Sequence, residues 1–171
     1  MKYPRLASSL LVLVCAAAAC TRGDSLEDLV GDDDFERARP AGDDAALGRV
    51  RAAVRAMASP DRNLDYVAAE MEGVVKARTK SQALLYYDGY RVTFMTPGDQ
   101  VTQVTFDLIE AKPSIRQMTE AFGTPSAVAK GMLYEQSSAS TGARVQLLAE
   151  PVAMPAEEDG LVRRIIVRRG R

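Results

Sequence analysis

The stretch from residue 83 to residue 108 restricts this chain more than any other part of it. Ala83-Leu84-Leu85-Tyr86-Tyr87 leads into Asp88-Gly89, and Tyr90, Val92 and Phe94 then alternate with Arg91 and Thr93. A two-residue Asp-Gly connection suits a type I′ turn, whose central residues take positive φ, so the spacing predicts a hairpin. Thr96-Pro97-Gly98-Asp99 supplies the next turn. A third strand is expected over residues 101–108, where Val104, Phe106 and Leu108 alternate with Gln103, Thr105 and Asp107. Period-two alternation sends one set of side chains to a core and the other to water, which describes an antiparallel meander with one polar side.

An apolar sheet face has to be covered, and helical patterns flank the meander. Leu47, Val50, Val54 and Met57 recur at helical spacing between Asp44 and Met57, behind a capping Asp43 or Asp44. Leu64, Val67 and Met71 form a second stripe that ends near Glu72, with Gly73 as the expected C-terminal cap. After the meander, Ser114 and Gln117 make a capping-box pattern, Ile115, Met118 and Phe122 the apolar stripe, and Gly123 with Pro125 the stop. Three more strands are expected, at 131–136, 143–149 and 161–168. The two halves also match each other. Leu64, Val67 and Met71 align with Ile115, Met118 and Phe122 at an offset of 51, and Leu85-Tyr86 with Leu133-Tyr134 at an offset of 48. These patterns predict an α+β fold: a two-layer domain with helices packed on antiparallel β-meanders, built as a tandem helix–three-strand repeat. Residues 44–108, with an extra leading helix, and residues 109–171 are the expected units of one compact domain. The six strands suit either one sheet or two.

The N-terminus reads as an address. Lys2 and Arg5 precede the apolar run Leu10 to Val14 and the alanines 16–19, a stretch too short to cross a bilayer and typical of a signal peptide. Ala17-Ala18-Ala19-Cys20 puts small residues before a cysteine. This resembles the lipobox of bacterial lipoproteins, with Ala17 where that family usually has leucine. The resemblance implies removal of residues 1–19, lipidation of the Cys20 thiol and attachment to a membrane. Thr21, where an aspartate would favour inner-membrane retention, points to the bacterial outer membrane, with the domain facing the periplasm. Residues 21–44 hold nine acids against three arginines and are punctuated by Gly23, Gly31, Pro40 and Gly42. Such a composition buries too little apolar surface to order itself, so residues 20–43 are expected to be an acidic, disordered tether. Gly31-Asp32-Asp33-Asp34 offers carboxylates that suit calcium, but at no EF-hand spacing, and no metal is assigned.

Composition narrows the chemistry. Without Lys2 and Arg5 the 22 basic residues become 20 against 23 acidic ones, a net charge of −3 that argues against nucleic acid. The chain has no histidine, so every Ser-His or Cys-His mechanism is excluded. Cys15 and Cys20 are its two cysteines, so lipidation of Cys20 leaves no thiol for a disulfide. No cofactor and no small-molecule substrate is indicated. The carboxylates that a small hydrolase would use are Glu70 with Glu72, and Glu157-Glu158-Asp159; no pocket pattern accompanies either group.

Two groups are candidate partner contacts. Tyr86, Tyr87 and Tyr90 surround the Asp88-Gly89 turn, and aromatic side chains are enriched in interface hot spots. Tyr87 and Tyr90 are equally placed to be a cross-strand pair that stabilises the hairpin. Arg163, Arg164, Arg168 and Arg169 lie in a tail without acids; the first expectation for them is an edge strand blunted against aggregation, with anionic lipid or the acidic tether as other contacts.

The order helix–helix–strand–strand–strand at 44–108 resembles the BamE/SmpA group of outer-membrane lipoproteins, and its doubled form resembles the β-lactamase inhibitor protein. Phe122-Gly123-Thr124-Pro125 followed by Leu133-Tyr134 is the best local match, whereas Glu72-Gly73-Val74-Val75 lacks the proline. The resemblance implies a non-enzymatic, lipid-anchored envelope protein that binds another protein, in envelope assembly, or else an enzyme inhibitor acting by surface contact.

Overall fold

A computed structural model describes residues 43–170. The expected signal segment, Cys20, the acidic residues 21–42 with their calcium-like run, and Arg171 lie outside the described residues. Three helices form, α1 (Asp43–Ala58), α2 (Leu64–Glu70) and α3 (Ile115–Phe122). The strands are β1 (Ala77–Arg78), β2 (Gln82–Tyr87), β3 (Tyr90–Met95), β4 (Gln103–Leu108), β5 (Ser126–Val128), β6 (Gly131–Ser137), β7 (Arg144–Pro151) and β8 (Val162–Arg169). All eight join one open antiparallel sheet in the order β1-β2-β3-β4-β8-β7-β6-β5.

The expected two-layer tandem of helix-on-meander units does not form. The sheet dominates, and it runs without a break from one half of the sequence into the other. β4 and β8 pair from Gln103↔Arg168 to Asp107↔Arg164, which closes two strand edges with backbone hydrogen bonds that separate units would have left open. Nor does each half supply its own cover: α1, from the first half, lies against β7 and β8 of the second. Alternation tells which side of a strand is buried. It carries no information about the neighbouring strand, and that is why the repeat failed as an architectural guide. The sequence reading also missed β1 and β5. With two and three residues they are too short to alternate, and they form the two edges of the sheet.

Local signals fared better. The Asp88-Gly89 turn closes β2 on β3 with Tyr87 opposite Tyr90; Gly89 takes φ +80° but Asp88 keeps a negative φ, so the hairpin forms without the expected type I′ geometry. Asn63 caps α2 by accepting from Tyr66 N at 2.8 Å. Ser114 Oγ accepts from Gln117 N at 3.2 Å while Gln117 Oε1 accepts from Ser114 N at 2.7 Å, so the capping box of α3 is complete. The end of α2 departs from expectation. Glu72, not Gly73, carries the positive φ, and a Cβ on Gly73 would displace the ends of the Leu85 and Tyr87 side chains.

One face of the sheet carries the core. Val92, Phe106, Ile165 and Ala149 stand side by side across β3, β4, β8 and β7, all fully buried. Val50, Ala53 and Met57 of α1 and Ile115 and Met118 of α3 belong to the same buried cluster. The small Ala46, Ala53 and Ala56 leave little side-chain bulk between α1 and the rest of that cluster.

Candidate functional site

The face of the sheet left open by the described residues, away from the three helices, is ordered into rows by the strand register. The first row is ionic: Arg91, Asp107, Arg164 and Glu150 are consecutive partners across β3, β4, β8 and β7. Arg91 Nε donates to Asp107 Oδ2 at 3.2 Å and Arg164 Nε donates to Asp107 Oδ1 at 2.6 Å. Arg164 Nη1 also lies 3.7 Å from Glu150 Oε2, which Arg163 Nη2 approaches to 3.8 Å. The two carboxylates are the sheltered members, with side chains 19% and 10% exposed, while the guanidinium groups reach further into solvent. The second row consists of Leu84, Thr93, Thr105, Ile166, Leu148 and Leu133. The third holds amides and charges: Arg168 Nε donates to Gln146 Oε1 at 3.2 Å, and Gln146 Nε2 donates to Glu135 Oε1 at 2.9 Å. A strip that is apolar but for Thr93 and Thr105 thus lies between two polar rows whose groups hold one another in place.

The arginine tail is therefore not an edge. β8 is flanked by β4 and β7, so strand-edge protection is ruled out as the reason for its charges. Adjacent Arg163 and Arg164 reach one carboxylate because of a register break. Glu150 faces Arg164 while Pro151 faces Val162, which leaves Arg163 as the extra residue of a bulge. Strict period-two alternation would put these neighbours on opposite faces; a bulge has no signature in that pattern. Arg169, opposite Val145, and Arg168 stand at the far end of the same strand.

The three tyrosines do not form one patch. Tyr86 lies on the opposite side of β2 from Tyr87 and packs beside Ala77 and Leu84. Tyr87 and Tyr90 stack across the hairpin with ring centroids 5.0 Å apart and planes at 17°. Tyr90 is only 1% exposed and also meets Phe106, so it is withdrawn from any partner surface. Tyr87 is half-buried, donates to the Met71 carbonyl at 3.0 Å, and carries the Arg49 guanidinium over its ring at 4.6 Å. Arg49 in turn lies 3.7 Å from Glu72. The cluster ties α1 and the end of α2 to the hairpin, which is a structural task.

Burial pushes the Tyr90 phenol up to about 12, against a smaller opposing pull from Arg49. Burial also raises Tyr87. The Tyr90 hydroxyl sits near Arg49 without a well-formed hydrogen bond. The unfolded chain loses this proton near pH 10, earlier than the folded chain. The unfolded state then binds fewer protons, and stability falls as pH rises from about 10 towards 12. Tyr90→Phe should make that alkaline decline shallower. At pH 7 it should change stability by less than about 1 kcal/mol, since little hydrogen bonding is lost. Urea midpoints measured from pH 7 to pH 11 check both expectations, and a neutral-pH loss above about 2 kcal/mol would show a properly bonded hydroxyl.

The remaining features lie elsewhere. Glu158 and Asp159, two of the possible hydrolase carboxylates, hold Arg116 at 3.5 and 3.0 Å. Glu72 is the partner of Arg49. A cavity of about 550 Å³ opens between Ala58, Pro60 and Tyr66 on one side and Gln136, Thr141 and Val145 on the other. No tyrosine or arginine singled out as a partner contact lines it. No group of three or more metal-ligating side chains occurs among the described residues, and no described helix is long and apolar enough to cross a membrane. No family model, no curated protein and no solved structure matches this chain.

Proposed function

We propose that this chain is a lipid-anchored protein of the bacterial cell envelope, held in the outer membrane through Cys20, that works without catalysis by binding another protein from the periplasmic side. The observation that carries the binding reading is the uncovered face of the sheet. An apolar row flanked by self-paired polar rows matches the composition of an interface, whose centre is apolar and whose rim is polar. The ionic row adds pre-organisation: its charges already hold one another, so little side-chain freedom is lost when a partner arrives. The site is broad and built on strands, which suits a protein surface.

Two experiments test this reading. Cys20→Ala should shift the protein from membrane to soluble fractions; retention after a high-salt wash would refute the anchor. Ile166→Arg should abolish recovery of the partner from solubilised membranes while leaving the melting temperature within a few degrees, because Ile166 is outside the core. Unchanged recovery would exclude the sheet face. Recovery of a soluble enzyme whose activity falls on addition of this protein would identify the partner as the target of a surface-contact inhibitor.

A further inference from the structure

The charged side chains are unevenly placed. The ion pairs of Arg49, Arg91, Arg116, Arg163 and Arg164 gather around the end of the sheet where the β2–β3 turn and the β7–β8 connection lie, while the Arg78–Asp99 pair lies at the other end, beside the β3–β4 connection. At the opposite end β8 finishes with Arg168 and Arg169, and β7 begins with Arg144, whose carbonyl accepts from Gly170 N at 2.8 Å. The C-terminus of α1 reaches this same end, where Thr141 Oγ1 donates to the Ala58 carbonyl at 3.0 Å. α1 brings Arg51 and Arg55, both exposed and one turn apart. Among the described residues no carboxylate forms an ion pair with Arg51, Arg55, Arg144, Arg168 or Arg169. These five exposed cations, on three elements, therefore have no direct ion pair among the described residues; Glu135 reaches Arg168 through Gln146.

The complement lies in the same chain. Residues 24–36 contain seven acids, Asp24, Glu27, Asp28, Asp32, Asp33, Asp34 and Glu36, and no basic residue. We propose that this acidic run docks, within the same molecule, on the end formed by Arg51, Arg55, Arg144, Arg168 and Arg169. Its length permits this. Asp34 precedes Asp43 by nine residues, an extended reach of about 30 Å. The 16 residues of α1 measure about 24 Å. The run can therefore turn back along α1, pass Arg51 and Arg55, and arrive at Arg144 and Arg169. The exposed stripe of α1 presents no obstacle, since Gly48 has no side chain and nothing within 4 Å of where a Cβ would stand. On the lipid-anchor reading, on which this consequence rests, docking shortens the free connection to Cys20 and holds the domain close to the bilayer. Salt or an anionic competitor releases it.

Paired spin labels at Phe35→Cys and Ala139→Cys test the docking, Ala139 being exposed in the β6–β7 connection. Removing residues 1–19 takes nothing from the described fold, so the chain 20–171 carrying Cys20→Ser is used. Its result does not depend on lipidation, which Cys20→Ala fractionation tests separately. The expected result is a short-distance population at low salt, independent of protein concentration. It should be lost at 1 M salt, where charges are screened beyond about 3 Å. It should also be lost when Arg51, Arg55, Arg144 and Arg169 are all changed to glutamine, with the melting temperature retained. A distance distribution that ignores both salt and the four substitutions overturns the proposal. So does a concentration-dependent one. If the four substitutions leave the distances alone but abolish binding to vesicles containing an anionic phospholipid, the arginine end serves a membrane surface and the proposal is again overturned.

Discussion

Phe106→Ala is expected to cost about 3–5 kcal/mol and to lower the melting temperature by roughly 10–20 °C. Phe106 is fully buried in β4, the last strand of the first meander, and lies between Val92 and Ile165. Its ring also meets that of Tyr90, with centroids 6.2 Å apart. Truncation would open a cavity where the two halves of the sheet meet, and neighbours fixed by backbone ladders on both sides have little freedom to collapse into it. Thermal and urea denaturation monitored by circular dichroism give the measurement. A loss below about 1 kcal/mol would mean that the β4–β8 seam is not the centre of the core.

Two glycine substitutions should move stability in opposite directions. Gly131 opens β6 with φ +154°, and a Cβ there would press on the Ala149 carbonyl oxygen of the neighbouring strand. Because the obstacle is backbone and not a flexible side chain, Gly131→Ala should cost roughly 3 kcal/mol or more. Gly48 lies within α1 with open space around it. Gly48→Ala should stabilise by about 0.5–1 kcal/mol, since alanine loses less conformational entropy in a helix. Measured together under one set of conditions, the two variants test the close approach of β6 to β7. Equal effects would refute it.

Much of the local structure was legible in the sequence because its causes are local. Asp88-Gly89 dictated a tight turn, and that turn sets the register of β2 against β3. Ser114 and Gln117 satisfied the first backbone donors of α3 wherever that helix came to lie. Period-two alternation named Val92, Phe94, Val104 and Phe106 as inward residues, and all four are fully buried. The pairing of Tyr87 with Tyr90 followed from the same turn.

The arrangement of these pieces was settled by contacts between residues far apart in the chain. Nothing near Gln103 or Arg168 announces that β4 and β8 lie side by side, because backbone hydrogen bonds are the same for every sequence. That one pairing turned two expected units into a single sheet and made an apparent edge strand a central one. It also set Asp107 between Arg91 and Arg164, 16 and 57 residues away in the chain. The bulge at Glu150 and Pro151 moved Arg163 beside Arg164 by inserting one residue, a change invisible to a pattern of period two. Hydrophobic periodicity and caps are properties of neighbouring residues, so the sequence alone specified the helices, the Asp88-Gly89 turn and the buried side of β3 and β4. Strand order, the rows of the open face and the arginine end depend on which distant segments satisfy one another's edges, and only the folded chain decides that.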